Sequence, residues 1–207
     1  MTTVFLHGLG QTKESWEPVL VGLPEGDYRC LSLSGLLQGK EATFENLYSA
    51  IESYCGGIDG KFCLCGLSLG AELALQYAID HSERLHSVVL IACQYKMPKL
   101  LLALQNVLFR FMPEENFQGL GFSKHEFSLL CRTTGRQNFS KGLEQISCPS
   151  LILCGGKDSS NKKASAQLSQ KLSGSTLAIL PGSGHEVNKD SPEQLSQLLR
   201  DFWRQLR

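Results

Sequence analysis

Residues 61–72 read KFCLCGLSLGAE. An apolar run with strand character stops at Gly66, Ser68 follows, Gly70 comes two positions later, and the pattern from Leu69 onward is helical. Ligands of an open α/β sheet bind beyond the carboxyl ends of its strands, and Ser68 falls at such an end. A serine on a sharp strand-to-helix turn must take a strained backbone conformation, with the residues two before and two after it forced together. Gly66 and Gly70 remove the side chains that would collide there. The turn leaves the hydroxyl exposed at the start of a helix. There the Leu69 amide and the helix dipole can stabilise negative charge forming on a substrate oxygen. In a chain with 20 glycines, G-x-S-x-G arises by chance often enough that its placement, more than the motif, carries the reading.

Working outward, similar apolar runs recur at 3–8 (TVFLHG), 28–33 (YRCLSL), 87–92 (SVVLIA), 150–155 (SLILCG) and 176–181 (TLAILP). They are nearly continuous rather than alternating, the pattern of strands covered on both faces of a parallel sheet. Between them, Phe44, Leu47, Tyr48 and Ile51 fall on one helical face, and Leu195, Leu198, Leu199 and Phe202 do the same near the end of the chain. That last helix has a marked start: Ser191 as N-cap, Pro192 in the first position and Gln194 to close a capping box. Helices joining successive strands imply right-handed crossovers. The expected fold class is therefore α/β: an open, mostly parallel sheet of about six strands flanked by helices, in one domain spanning 1–207. Residues 97–145 lack a strand pattern, and the stretch 99–112 is too apolar for a solvated helix. This insertion is expected to form a small helical cap over one end of the sheet.

Composition narrows the function classes. Twenty basic and twenty acidic side chains cancel, and no basic run suggests a nucleic acid or an anionic membrane surface as partner. Apolar stretches fall far short of the roughly 18–20 residues needed to span a bilayer. The N-terminal MTTVFLHGLG has no basic region followed by a long apolar core, so a cytoplasmic location is expected. The eight cysteines are scattered and read as reduced, buried small hydrophobes. Cys63 and Cys65 form C-x-C without a second pair at zinc-site spacing, so no metal is expected.

A serine hydroxyl needs a base to become a nucleophile. His81 and His86 lie in HSERLHS, which reads as a surface connection, and His125 lies in the expected cap. His7 and His185 each follow an apolar run. His185, in PGSGHEVNKDSPEQL, sits on a glycine-rich loop long enough to reach Ser68. The base in turn needs a carboxylate to hold its tautomer and stabilise its protonated form. Asp158 ends SLILCGGKD, again past a strand, although it could simply cap the helix around 161–172. Glu186 and Asp190 are too near His185 along the chain to approach its ring easily from behind.

Over nearly its whole length the chain resembles an α/β-hydrolase-fold serine enzyme. The order Ser68, Asp158, His185 matches that family's nucleophile, acid and base. The segment His7-Gly8-Leu9-Gly10 is similar to its HG-x-G oxyanion loop. By that match Leu9 supplies a backbone N–H alongside Leu69, and His7 and Gly8 are structural. The stretches ESWEPVL, HSERLHSVVLIA and GHEVNKDSPEQL are similar too. Two departures stand out: SLSGLLQG (32–39) replaces the usual D-x-P-G-x-G, and the chain begins at the oxyanion strand, implying a truncated N-terminal sheet edge. The resemblance implies cleavage of a small-molecule carboxylic ester or thioester through an acyl-enzyme, with no cofactor. Its alternatives are a triad-dependent lyase such as a menaquinone-pathway synthase, and a hydrolase-like ligand-binding protein. Residues 100–112 could line an acyl pocket or merely pack the cap. Trp16 reads as core, and Arg132 and Arg136 as solvated.

Overall fold

In the computed structural model, which describes residues 1–97 and 112–206, each of the six apolar runs forms a strand. They are β1 (Thr2–Leu6), β2 (Asp27–Leu31), β3 (Phe62–Leu67), β4 (Leu85–Ile91), β5 (Ser150–Gly155) and β6 (Thr176–Leu180). All pair in parallel, in the order β2-β1-β3-β4-β5-β6. Parallel neighbours cannot be joined by hairpins, so helices make the connections. The described helices are α1 (Glu17–Val21), α2 (Leu33–Leu36), α3 (Phe44–Gly56), α4 (Leu69–Asp80), α5 (Lys124–Thr134), α6 (Ser159–Lys171), α7 (Val187–Asp190) and α8 (Pro192–Gln205).

The strand order decides where a site can form. The chain steps from β1 outward to β2, then returns past β1 to β3 and continues to the opposite edge. Strand direction of travel therefore reverses between β1 and β3, which opens a crevice beyond their carboxyl ends. Leu6 lies opposite Gly66, and Leu67 opposite Ile91. The segments starting at His7 and Ser68 consequently leave the sheet side by side.

Alternate side chains of the central strands feed two cores. Val4, Leu6, Leu64, Val88, Leu90 and Ile152 pack under α3, α4 and α6. Phe5, Cys65, Leu67, Val89, Ile91 and Leu153 pack against Trp16, Leu195, Leu199 and Phe202 on the other face. β3 and β5 are buried throughout, but β2 and β6 are half exposed. Their apolar runs lie at the sheet edges, where helices cover less, so burial on both faces holds for the centre of the sheet only. Trp16 is fully buried with its ring 5.0 Å from Phe5. Arg132 and Arg136 are exposed. All eight cysteines are free, and only Cys30 is not fully buried.

Helix starts follow local chemistry. The Thr43 hydroxyl caps α3 by accepting from Asn46 N–H, and Ser123 and Glu126 form a capping box at α5. At α8 the expected box does not form. Ser191 is the N-cap and Pro192 opens the helix, but the Ser191 hydroxyl pairs with Ser183 Oγ at 2.6 Å instead. That bond ties α8 to the loop preceding His185. In the connection between β4 and β5, a 3-10 turn (Glu114–Phe117) and α5 are described. Of the apolar run 99–112 only Met112 lies among the described residues.

Candidate active site

The turn at Ser68 is held by backbone. Ser68 has φ 53° and ψ −117°, a region non-glycine residues avoid at a cost of about 1–3 kcal/mol. Its N–H donates to Ile91 O at 2.9 Å, and Glu72 N–H donates to Ser68 O at 3.0 Å. A Cβ on Gly66 would sit 2.2 Å from Gly70 O, the collision the sequence foretells. Gly70 is needed for a different neighbour: its Cβ would lie 2.3 Å from Leu6 O and 2.8 Å from His7 O. The start of α4 thus presses on the end of β1.

The His7–Leu9 segment packs directly on this turn, and a Cβ on Gly8 would be 3.5 Å from Ser68 Cβ. His7 is buried, and burial lowers its pKa, so the ring is neutral. Leu33 N–H donates to Nε2 at 3.2 Å, which leaves Nδ1–H to donate to Gly8 O at 2.9 Å. Both ring nitrogens are occupied, and the ring braces β1 against α2. Among the described residues, neither the Leu9 nor the Leu69 amide is spent on another hydrogen bond.

Across the sheet, His185 Nδ1 donates to Asp158 Oδ2 at 2.7 Å. Asp158 is nearly buried, while His185 is 45% exposed at its side chain. Asp158 also caps α6, its Oδ1 accepting from Asn161 N–H at 3.2 Å, so the helix-cap and His-partner readings both apply. Asn161 Nδ2 donates to Asp158 Oδ2 at 2.8 Å. Burial raises the Asp158 pKa, but the hydrogen bonds from His185 and Asn161 outweigh it and hold the carboxyl below its ordinary value. The remaining link is open: among the described residues no hydrogen bond joins the His185 ring to Ser68.

Several residues that position His185 carry no sequence motif. Gln11 and Asn188 form a buried reciprocal amide pair, Gln11 Nε2 donating to Asn188 Oδ1 at 3.1 Å and Asn188 Nδ2 to Gln11 Oε1 at 3.2 Å. Gln11 Oε1 also accepts from Gly8 N–H at 3.4 Å, and Gln11 Nε2 donates to Glu186 Oε1 at 3.1 Å. The pair therefore joins the His7–Leu9 segment to the His185 loop. Asp190 Oδ2 accepts from Gly184 N–H at 2.6 Å, so this rival carboxylate shapes the loop rather than meeting the ring. Gly155 lets the loop approach β5, since a Cβ there would lie 2.0 Å from Gly184 O. The spacing of small and amide residues around 183–190 was the available signal. It is too common to single them out.

Elsewhere, a 360 Å³ hollow lined by Thr3, Pro24, Tyr28, Arg200 and Trp203 lies at the amino end of β1 and β2, the wrong end of the sheet for ligand chemistry. Among the described residues no three His, Cys, Asp or Glu side chains converge as metal ligands. No helix among them is long and apolar enough to cross a membrane.

Residues 3–198 match the model of the alpha/beta hydrolase family. The chain belongs to that family. Its curated relatives include the chloroplastic protein PHYLLO of Arabidopsis thaliana, 25% identical over 96% of this chain but only 15% of PHYLLO. Monoacylglycerol lipase abhd6-A of Xenopus laevis is 24% identical over 97% of this chain and 74% of its own length. A Haemophilus influenzae protein named for 2-succinyl-6-hydroxy-2,4-cyclohexadiene-1-carboxylate synthase is 35% identical over 37% of this chain and 33% of its own. Among solved structures, a thermophilic esterase from Thermogutta terrifontis superposes with a TM-score of 0.75 at 18% identity, covering 100% of this chain and 90% of that one. That superposition shows the alpha/beta hydrolase fold.

Proposed function

We propose that the protein hydrolyses a small-molecule carboxylic ester or thioester, with Ser68 as nucleophile, His185 as base and Asp158 as its partner. The observation that carries this is the 2.7 Å His185–Asp158 hydrogen bond at the same end of the sheet as the strained Ser68 turn. With Nδ1–H committed to Asp158, Nε2 is the lone-pair nitrogen and takes the Ser68 proton as Oγ attacks the carbonyl carbon. The Leu9 and Leu69 amides receive the oxyanion. Collapse expels the alcohol or thiol, which takes the proton from His185. Water then attacks the acyl-enzyme, again losing a proton to His185, and releases the acid and free Ser68. Residues 97–145 serve in this reading as a cap that screens the acyl-enzyme from bulk water.

The test is pre-steady-state turnover of p-nitrophenyl esters of graded acyl length, with fluorophosphonate labelling followed by peptide mapping. A stoichiometric burst and label on Ser68 are expected. No ester turnover together with an unlabelled Ser68 rejects the assignment. The similarity to the Haemophilus protein favours one second reading, proton abstraction followed by elimination. That chemistry gives labelling without a burst, because no acyl-enzyme accumulates.

A further inference from the structure

Two side-chain amides in series stand behind the Asp158–His185 pair. Gln94, half-buried just past the end of β4, donates from Nε2 to Ser160 O at 3.1 Å and to Asn161 Oδ1 at 2.7 Å. Asn161, buried in the first turn of α6, passes the bond on. Its Nδ2 donates to Asp158 Oδ2 at 2.8 Å and lies 3.1 Å from His185 Nδ1.

The backbone leading to Gln94 is strained. Besides Ser68 and Gln38, Ala92 is the one other non-glycine residue at positive φ among the described residues, with φ 52°. It is buried, and its N–H donates to Leu153 O at 2.8 Å. Holding such a residue there costs about 1–3 kcal/mol, and outliers of this kind cluster at active sites. The turn carries the chain from β4 to the start of α6, where Gln94 meets Ser160 and Asn161.

The order of donors along this path is forced. Ser160 O can only accept, so the NH2 end of Gln94 must face it. The same NH2 then requires an acceptor on Asn161, which turns Oδ1 toward Gln94 and Nδ2 toward Asp158. Without Gln94 the Asn161 amide is free to turn over. Its oxygen would then face the Asp158 carboxylate with no proton between them, and would compete with it for the His185 Nδ1–H. A neutral amide holds a developing imidazolium less strongly than a carboxylate does.

We propose that Gln94 is a positioning residue for the base: by fixing the Asn161 amide, it keeps the Nδ1–H of His185 on Asp158. This rests on the hydrolase reading above.

The experiment measures kcat and KM on the p-nitrophenyl ester turned over best, with Tm in parallel, for three variants. Gln94→Leu removes the donor, Gln94→Glu offers only acceptors when ionised, and Gln94→Lys offers only donors. Gln94→Leu should lower kcat by about 3–10-fold, as both Asn161 orientations become populated. Gln94→Glu should lower it by about 30–100-fold, because it draws Nδ2 to itself and presents Oδ1 to His185. Gln94→Lys should stay within about 3-fold of wild type. KM should change by less than about 2-fold throughout, which separates a misplaced base from lost substrate binding. In an Asn161→Leu background the Gln94→Glu penalty should shrink to about 2-fold or less, since the amide it acts through is gone. Equal kcat for the Glu and Lys variants, or a Glu penalty undiminished in Asn161→Leu, overturns the role of Gln94. If Asn161→Leu fails to fold, the contrast between Glu and Lys decides alone. Wild-type ester turnover with Ser68 labelling leaves the hydrolase reading standing in either case. Absence of both in wild-type protein removes the two together.

Discussion

The Ser68 turn and the His185 loop sit at the same end of one sheet, yet they are built by different forces. Ser68 is placed by backbone sterics: a positive φ, hydrogen bonds from main-chain groups, and glycines whose Cβ atoms would overlap carbonyl oxygens. His185 is placed by side-chain polar bonds, from Asp158, Asp190 and, through the loop after it, the Gln11–Asn188 pair. A sterically fixed turn tolerates little motion, because packed backbone has no alternative arrangement nearby. A loop held by exchangeable hydrogen bonds can shift more readily. The proposed chemistry asks the second region to adjust to the first.

The sharpest way to break this comparison is to remove one group from each side. Ser68→Ala should lower kcat by about 10⁴–10⁶ with little change in Tm, and Asp158→Asn by about 10³–10⁴. The asymmetry arises because an amide at 158 misorients the imidazole while the nucleophile and the oxyanion amides stay in place. Steady-state kinetics on folded, melted-in-parallel samples checks both. Equal activity of wild type and Ser68→Ala contradicts the assignment outright.

The same contrast explains what the sequence disclosed. Steric demands write themselves as glycine, so Gly66-x-Ser68-x-Gly70 after a continuous apolar run was legible, as were all six strands. Even there one reason was missed: Gly70 clears Leu6 and His7, a contact made only when β1 lies beside β3. Polar positioning leaves no such signature. Gln11 and Asn188 lie at opposite ends of the chain and in common residue types, and only the folded chain brings their amides together. Asn161 was hidden for a similar reason, since its amide reaches Asp158 from within the helix that Asp158 caps. The expected capping box at Ser191 failed because a tertiary partner, Ser183, claimed the hydroxyl.

The next largest effect should come from the amide pair. Asn188→Leu removes the donors to Gln11 Oε1 and Ser15 O, and should cost about 1–3 kcal/mol of stability because buried polar groups are stranded. As the loop drifts from the His7–Leu9 segment, kcat should fall by about 10–100-fold with KM less affected. Gln11→Leu should behave alike, and the double variant should lose less than the sum of the two. Strict additivity would show that the pair does not act as one brace.

The smallest effect separates Asp158's structural part from its proposed chemical one. Its folded pKa is depressed, by hydrogen bonds that exceed the penalty of burial. A carboxyl of this kind contributes stability that is fully present above the unfolded value of about 3.9 and is lost as pH falls through the folded value. Wild-type Tm should therefore decline below about pH 4 more steeply than that of Asp158→Asn, and the two curves should run parallel from pH 5 to 7. If the Tm curves were parallel throughout, the carboxylate would not be drawing its stabilisation from Asn161 and His185. The hydrogen-bonded loop would then need another anchor.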